Sequence, residues 1–362
     1  MPGQMILHAA APLLPAALIA VGTQLGGPWI AAALAAMTLG AAILDRQLPA
    51  APAAPPGAAV PSLRWTALPV AIAIAHFALL ALVLRALAGH PGTGGAALGG
   101  LERAGLLLAM GLWAGQVANA DAHELIHRPA RGLHRLGAAI YVTLLFGHHC
   151  AAHMLVHHPL VGTPDDPATA PRGMSLYRYL PRAWIGGFRA GAAAQTRRLR
   201  KRHGAAWWRH HPYLVYVGGA AGCLAASGLA FGWHVLPWYL SLAGLAQSQL
   251  LMTDYVQHYG LVRPRGADGR LPPVGAGHSW NAPHRYSAAM LLNAPHHSRH
   301  HQSPGLPYGA LGIADGAPRL PAPLPMMATL ALWPRGWRRL MDRRVAAIRN
   351  AAATDGATAS PR

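Results

Sequence analysis

Four short stretches of the 362-residue sequence carry histidines at helical spacing. In Asp121-Ala-His123-Glu124-Leu-Ile-His127-Arg128 the two histidines stand four residues apart and share one helix face. His153-Met-Leu-Val-His157-His158 repeats that spacing and adds a neighbour about 100° round the helix, so three imidazoles are expected to converge on one region. Asp254-Tyr-Val-Gln257-His258 puts an acid one turn before a histidine, and His297-Ser-Arg-His300-His301 pairs its rings at both helical spacings. Neutral imidazole suits zinc, copper, iron and nickel. Nine such groups with no thiolate among them would hold two ions at about four or five nitrogens each. A lone histidine is more often a surface or core residue, and any one block would be a weak signal. Density decides the matter, because 19 of the 22 histidines lie between His123 and His301.

Nine neutral ligands leave a metal's charge uncompensated, so the acids are informative. Five of the 11, Asp121, Glu124, Asp165, Asp166 and Asp254, stand beside these blocks. Glu124 and Asp254 are expected to accept N–H bonds from ligand rings and so orient them, with Asp121 and Asp165 as further candidates for that role. His149 extends a stripe, His149-His153-His157, and is the histidine nearest to ligand status outside the nine. His134, His278, His284 and His296 read as supporting, helix-terminal or surface groups, and His8, His76 and His90 as structural ones.

The elements that must position these rings follow from composition. With 53% hydrophobic and 11% charged residues, the chain reads as an all-α integral membrane protein. Two distant cysteines, Cys150 and Cys223, give neither a disulfide framework nor a thiolate metal motif. Roughly 20 apolar residues cross a bilayer as a helix. Six segments qualify: 6–25, 28–45, 66–88, 101–120, 212–231 and 234–256. The first lacks a basic leading region and reads as a retained helix rather than a cleaved signal. Residues 1–120 are thus expected to hold four crossings around a Pro/Ala-rich linker at 46–65, and 212–256 two more. Histidine-bearing segments fill 121–211 and 257–349, and 350–362 reads as a disordered tail.

Six crossings put both termini and every histidine block on one side. That side also carries 28 of the 30 basic residues, all but Arg85 and Arg103, which makes it cytoplasmic by the positive-inside rule. The net charge of +19 is then a property of the membrane-facing surface rather than a sign of nucleic-acid binding. The run Arg197-Arg198-Leu199-Arg200-Lys201-Arg202, followed by Trp207-Trp208-Arg209, is suited to anionic lipid headgroups and the aromatic belt.

At these residues the chain resembles the membrane-bound alkane 1-monooxygenase family, within the larger fatty-acid desaturase and hydroxylase superfamily. His123-Glu-Leu-Ile-His127-Arg128 is similar to that family's first box. His153-x-x-x-His157-His158, followed by Gly162-Thr-Pro-Asp-Asp-Pro-Ala168, is similar to its second. Tyr255-x-x-His258-Tyr-Gly-Leu261 and His297-Ser-x-His300-His301 match two later signatures. The similarity spans roughly 100–345. It implies a six-helix fold in a bacterial inner membrane, and two irons held by His123, His127, His153, His157, His158, His258, His297, His300 and His301. It also implies O2 as oxidant, an apolar substrate entering from the membrane, and electrons from a rubredoxin- or ferredoxin-type donor with its reductase. The chain departs from the family pattern at Ala152, Gln257 and Arg299, where acids are usual. His-Glu-Leu-Ile-His-Arg and Gln257-His-Tyr-Gly-Leu-Val-Arg263 are nearer the xylene monooxygenase branch, which oxidises methyl groups on aromatic rings.

The expected activity is therefore hydroxylation of an unactivated C–H bond, such as the terminal methyl of an n-alkane. Hydroxylation of an alkyl-aromatic methyl and lipid desaturation are the near alternatives. A membrane zinc metalloprotease built on His123, Glu124 and His127 needs one further ligand and leaves six histidines idle. A metal transporter would place its ligands near the bilayer midplane, whereas all four blocks fall at or beyond helix ends.

Overall fold

A computed structural model describes residues 2–50, 64–92, 97–266 and 268–358. Most of the linker expected at 46–65 lies outside them. The described residues are helical, with one isolated bridge between Asn281 and Arg319 and no named strand. All six apolar segments read from the sequence are helices. We label them α1 (Pro2–Leu25), α2 (27–47), α3 (Arg64–Leu87), α4 (100–126), α8 (Tyr213–Phe231) and α9 (Leu236–His258). Between α4 and α8 lie α5 (Arg131–Thr143), α6 (149–160) and α7 (Leu176–His203); after α9 come α10 (Arg285–Met290), α11 (His297–Gln302), α12 (Leu324–Ala331) and α13 (Pro334–Thr358). The chain is thus still helical where a tail was expected after 350, and residues 359–362 lie outside the described set.

Among the described residues, four helical stretches are long and apolar enough to cross a membrane: Gln4–Leu25, Gly27–Gln47, Trp65–Leu87 and Leu176–Phe231, the last including α8. Helix α8 leaves Val215 66% and Leu229 77% exposed, a surface that only lipid or another apolar body would cover. Helices α4 and α9 are less apolar because they bring Asn119, Asp121 and Glu124, and Asp254, Gln257 and His258, into the interior. These are the two helices whose ends carry the first and third histidine blocks.

The α1–α2 hairpin turns at Gly26, whose φ of 84° a side chain would strain. Glu102 pins that turn to the start of α4 by accepting bonds from the Gly27 and Gly99 backbone N–H groups at 2.7 and 2.9 Å. At the other end of α4, α5 packs so closely that a Cβ on Gly137 would stand 2.7 Å from the Ala122 carbonyl oxygen. That contact fixes the turn carrying His123 and His127.

Among the described residues, three π-helical turns interrupt the helices, at Ala36–Gly40, Ala114–Ala118 and His153–His157. The last changes what the second histidine block can do. In it the His158 N–H bonds the His153 carbonyl, five residues back, so positions i and i+5 come onto one face. Spacing on a regular helix predicted one convergent trio, whereas the wider turn sends His157 away from the other two.

Candidate metal centre

The nine histidines meet as two groups. His123, His127, His153, His158 and His300 form one, and His157, His258, His297 and His301 form the other; within each group the ring nitrogens lie within 4.8 Å of one another. Helix α4 supplies His123, the residue that caps its C-terminus is His127, and α9 supplies His258 from its last residue. Helices α6 and α11 each serve both groups. The π turn divides His153 and His158 from His157, and on α11 the four-residue pair His297 and His301 faces one group while His300 faces the other.

Elementary hydrogen-bond chemistry shows what this arrangement suits. The Nε2 atoms of His127, His153 and His158 lie 3.0 to 3.2 Å from one another, and His300 Nε2 lies 3.2 Å from that of His158. In the second group His297 Nε2 stands 3.0 Å from His258 Nε2 and 3.1 Å from His301 Nε2. A neutral imidazole carries one N–H, so one proton cannot serve three nitrogens facing each other. The Nε2 atoms of His123 and His157 are buried with no partner at all. A divalent cation at each focus would take these lone pairs together, and neutral imidazole nitrogen is a fitting donor for such an ion.

The rings are held in the state that coordination needs. Burial first, and then repulsion from neighbouring histidines, keeps His127, His153, His158, His297, His300 and His301 well below the usual imidazole range. Burial likewise brings His123 and His258 down to about 3. His157 goes the other way. Its burial would lower it, but the Asp166 carboxylate, 2.8 Å from Nδ1, raises it above the ordinary value, and Asp166 is lowered in turn despite its own burial.

The acids occupy other places than the block spacing suggested. Asp166, rather than its neighbour Asp165, reaches a histidine of the two groups, while Asp165 is exposed and lies 4.0 Å from Arg265. The Asp166 carboxylate also accepts bonds from the Ala168 backbone and the Thr169 hydroxyl, a local turn that aspartate before proline favours. Two adjacent aspartates in a turn gave no spacing by which to choose between them. Glu124 bonds Arg128 at 2.6 Å and the Tyr308 backbone N–H at 3.1 Å, so its carboxylate is spent on a buried ion pair rather than on a ligand ring. Burial pushes Glu124 up to about 7, with Arg128 opposing. Asp121 is fully buried, and neither carboxylate oxygen has a hydrogen-bond partner. His149 belongs to neither group. It stacks between Phe146 and His153, with ring centroids 5.1 and 5.2 Å away.

Asp254 lines a cavity instead of bonding a ring. This cavity, of about 50 Å³, lies between α4 and α9, and its wall includes one histidine from each group, His123 and His297. Leu250, Leu291, Ala294 and Leu324 make much of the remaining surface. The π turn at Ala114–Ala118 borders it through Gly115 and Gln116. The site therefore joins two candidate metal positions to a largely aliphatic space among the bundle helices.

Comparison with known proteins agrees with this geometry. Residues 102–327 match the fatty acid desaturase family. The chain is 34% identical to alkane 1-monooxygenase 1 of Pseudomonas aeruginosa, over 69% of this chain and 65% of that protein. It is 33% identical to alkane 1-monooxygenase of Acinetobacter baylyi, over 66% of this chain and 58% of the relative. It is also 26% identical to the xylene/toluene monooxygenase hydroxylase component of Pseudomonas putida, over 67% and 64% of the two chains. The chain thus spans somewhat under two thirds of the length of these relatives. Residues 102–327, which include all nine histidines and most of the cavity wall, establish that the chain belongs to the fatty acid desaturase family.

Proposed function

We propose that this protein is a membrane monooxygenase that hydroxylates an unactivated C–H bond, such as the terminal methyl of an n-alkane, with O2 as oxidant. The observation that carries the reading is the pairing of two all-histidine groups with an aliphatic cavity that touches both. The relatives named alkane 1-monooxygenase support the same reading. Two irons at the histidine groups would supply the O2-dependent redox chemistry that side chains lack. The chain's own residues bind, orient and exclude. Burial keeps the imidazoles other than His157 neutral donors, Asp166 holds the Nδ1 proton of His157 and fixes that ring, and Leu250, Leu291 and Leu324 hold an alkyl chain against the face where His123 and His297 meet the cavity.

The topology that suits this activity has six crossings in a bacterial inner membrane, both termini and the histidines on the cytoplasmic side, and a substrate that arrives from lipid. Electrons come from a rubredoxin- or ferredoxin-type donor with its reductase, and the Arg197–Arg202 run lies against anionic headgroups. The similarity to a xylene/toluene relative favours a second substrate class, alkyl-aromatic methyl groups. The deciding experiment incubates membranes containing the protein with a rubredoxin and reductase system, and analyses products from octane, hexadecane, toluene, xylene and a fatty acid by mass spectrometry. A primary or benzylic alcohol supports the proposal. A new double bond in the fatty acid would make the protein a desaturase, and no product from any of the five with iron bound would reject both.

A further inference from the structure

The two histidine groups differ in their access to the surface. His157, His258, His297 and His301 are all buried, whereas His123 and His158 of the five-histidine group are only partly so. His127 lies in the wall of an open cleft of about 360 Å³, together with Arg128, Arg131, His134, Arg135 and Met154. Arg128 is committed to Glu124. Arg131 and Arg135 are not: they stand one turn apart on α5, both exposed, and no carboxylate among the described residues lies within ion-pair distance of either. Arg131 is also the first residue of α5, where the helix dipole favours an acid and the first turn has none. Folding does not account for these two cations at the mouth of a cleft that reaches a candidate ligand.

We propose that this cleft is the docking site of a small acidic one-electron carrier protein, whose charge complements Arg131 and Arg135 and whose redox group reaches the His127 edge. The inference rests on the oxygenase reading, which requires reductant: RH + O2 + 2 e⁻ + 2 H⁺ gives ROH + H2O, so two successive dockings supply the two electrons and each carrier leaves oxidised by one. Another basic surface, Arg335, Arg338, Arg339 and Arg343 on α13, surrounds Asp342 and contains none of the nine histidines. It serves as the control.

The test uses the full chain in detergent, with a recombinant acidic rubredoxin as probe, and compares wild type, the double variant Arg131→Glu/Arg135→Glu and the control Arg339→Glu/Arg343→Glu. Rubredoxin affinity is read across a salt series, together with iron content and with turnover driven by rubredoxin or by hydrogen peroxide, which needs no carrier. The expected result is at least about a tenfold loss of rubredoxin affinity and a flatter salt dependence for the α5 variant alone, with iron content and peroxide-driven turnover retained. Unchanged affinity, loss only in the α13 control, or loss of iron in the α5 variant would overturn the assignment. So would a loss confined to binding of anionic-lipid vesicles, measured in parallel on the same three proteins, which would make the cleft a headgroup site. Specific rubredoxin binding without turnover from either drive would support the docking site while rejecting the oxygenase reading.

Discussion

His157 donates its Nδ1–H to the Asp166 carboxylate at 2.8 Å, and among the described residues this is the one carboxylate bond to any of the nine histidines. It fixes the tautomer that leaves Nε2, buried and without a partner, as the free donor. Asp166→Ala is expected to weaken metal retention about 10- to 100-fold, the usual effect of losing such a support. Asp165→Ala, at an exposed side chain, is expected to leave it unchanged. Iron content after graded chelation separates the two, and equal behaviour would contradict the assignment.

The π turn predicts that adjacent histidines have separable effects. His157→Ala removes a member of the four-histidine group and His158→Ala a member of the five-histidine group. Each variant is expected to lose mainly one iron per chain, and a different one. Mössbauer spectra of the two variants check this, and identical residual spectra would contradict the division.

Cavity shape predicts chain-length preference. Ala294 and Leu324 line the space beside His297, and Ala294→Phe or Leu324→Trp removes volume from it. Either change is expected to lower kcat/KM for hexadecane about tenfold more than for octane, within the range that lost apolar contacts and steric exclusion produce. Competition assays with the two alkanes read the ratio directly.

Glu124 and Arg128 form a buried ion pair, with side chains 8% and 4% exposed. Glu124→Ala leaves Arg128 uncompensated and is expected to destabilise by about 3 to 5 kcal/mol. Glu124→Gln, which retains an acceptor for the Tyr308 N–H, is expected to destabilise less and to keep measurable turnover. A general base of a zinc protease would not survive that change. Thermal unfolding and product formation measured on both variants distinguish a structural acid from a catalytic one.

Acidification has a defined sign. Burial lowers His148 and His296 to about 4 in the folded chain, against an ordinary 6.5 when unfolded. Between these values the unfolded state binds more protons, so the stability these groups contribute above about pH 6.5 is lost as pH falls toward 4. His157, raised by Asp166, contributes with the opposite sign. The apoprotein should therefore unfold at lower temperature at pH 5 than at pH 7.5. His148→Phe, next to Trp184 and Phe188, should narrow that difference.

The sequence made much of this legible, for identifiable reasons. Long apolar runs announced the six helices, because the length needed to cross a bilayer is a demanding pattern. Histidine density marked the nine residues that form the two groups, since no ordinary core requires so many imidazoles together. Which histidine joins which group was not legible. It depends on an i to i+5 turn at His153–His157 that Met154, Leu155 and Val156 do not signal, and on how α11 presents His297 and His301 to one group and His300 to the other. The acids failed for a related reason. Helical spacing put Glu124 near the rings but could not foresee that Arg128 and the Tyr308 backbone would take its carboxylate, nor that a turn would aim Asp166 and not Asp165 at His157.

The measurement closest to the central claim is isotopic. Purified protein with its iron counted, supplied with reductase, rubredoxin and octane under ¹⁸O2, should give 1-octanol carrying one ¹⁸O per molecule, and the yield should collapse in the His127→Ala and His258→Ala variants alike. Octanol without the label, label incorporation that survives both variants, or one zinc and no iron per chain would contradict the account.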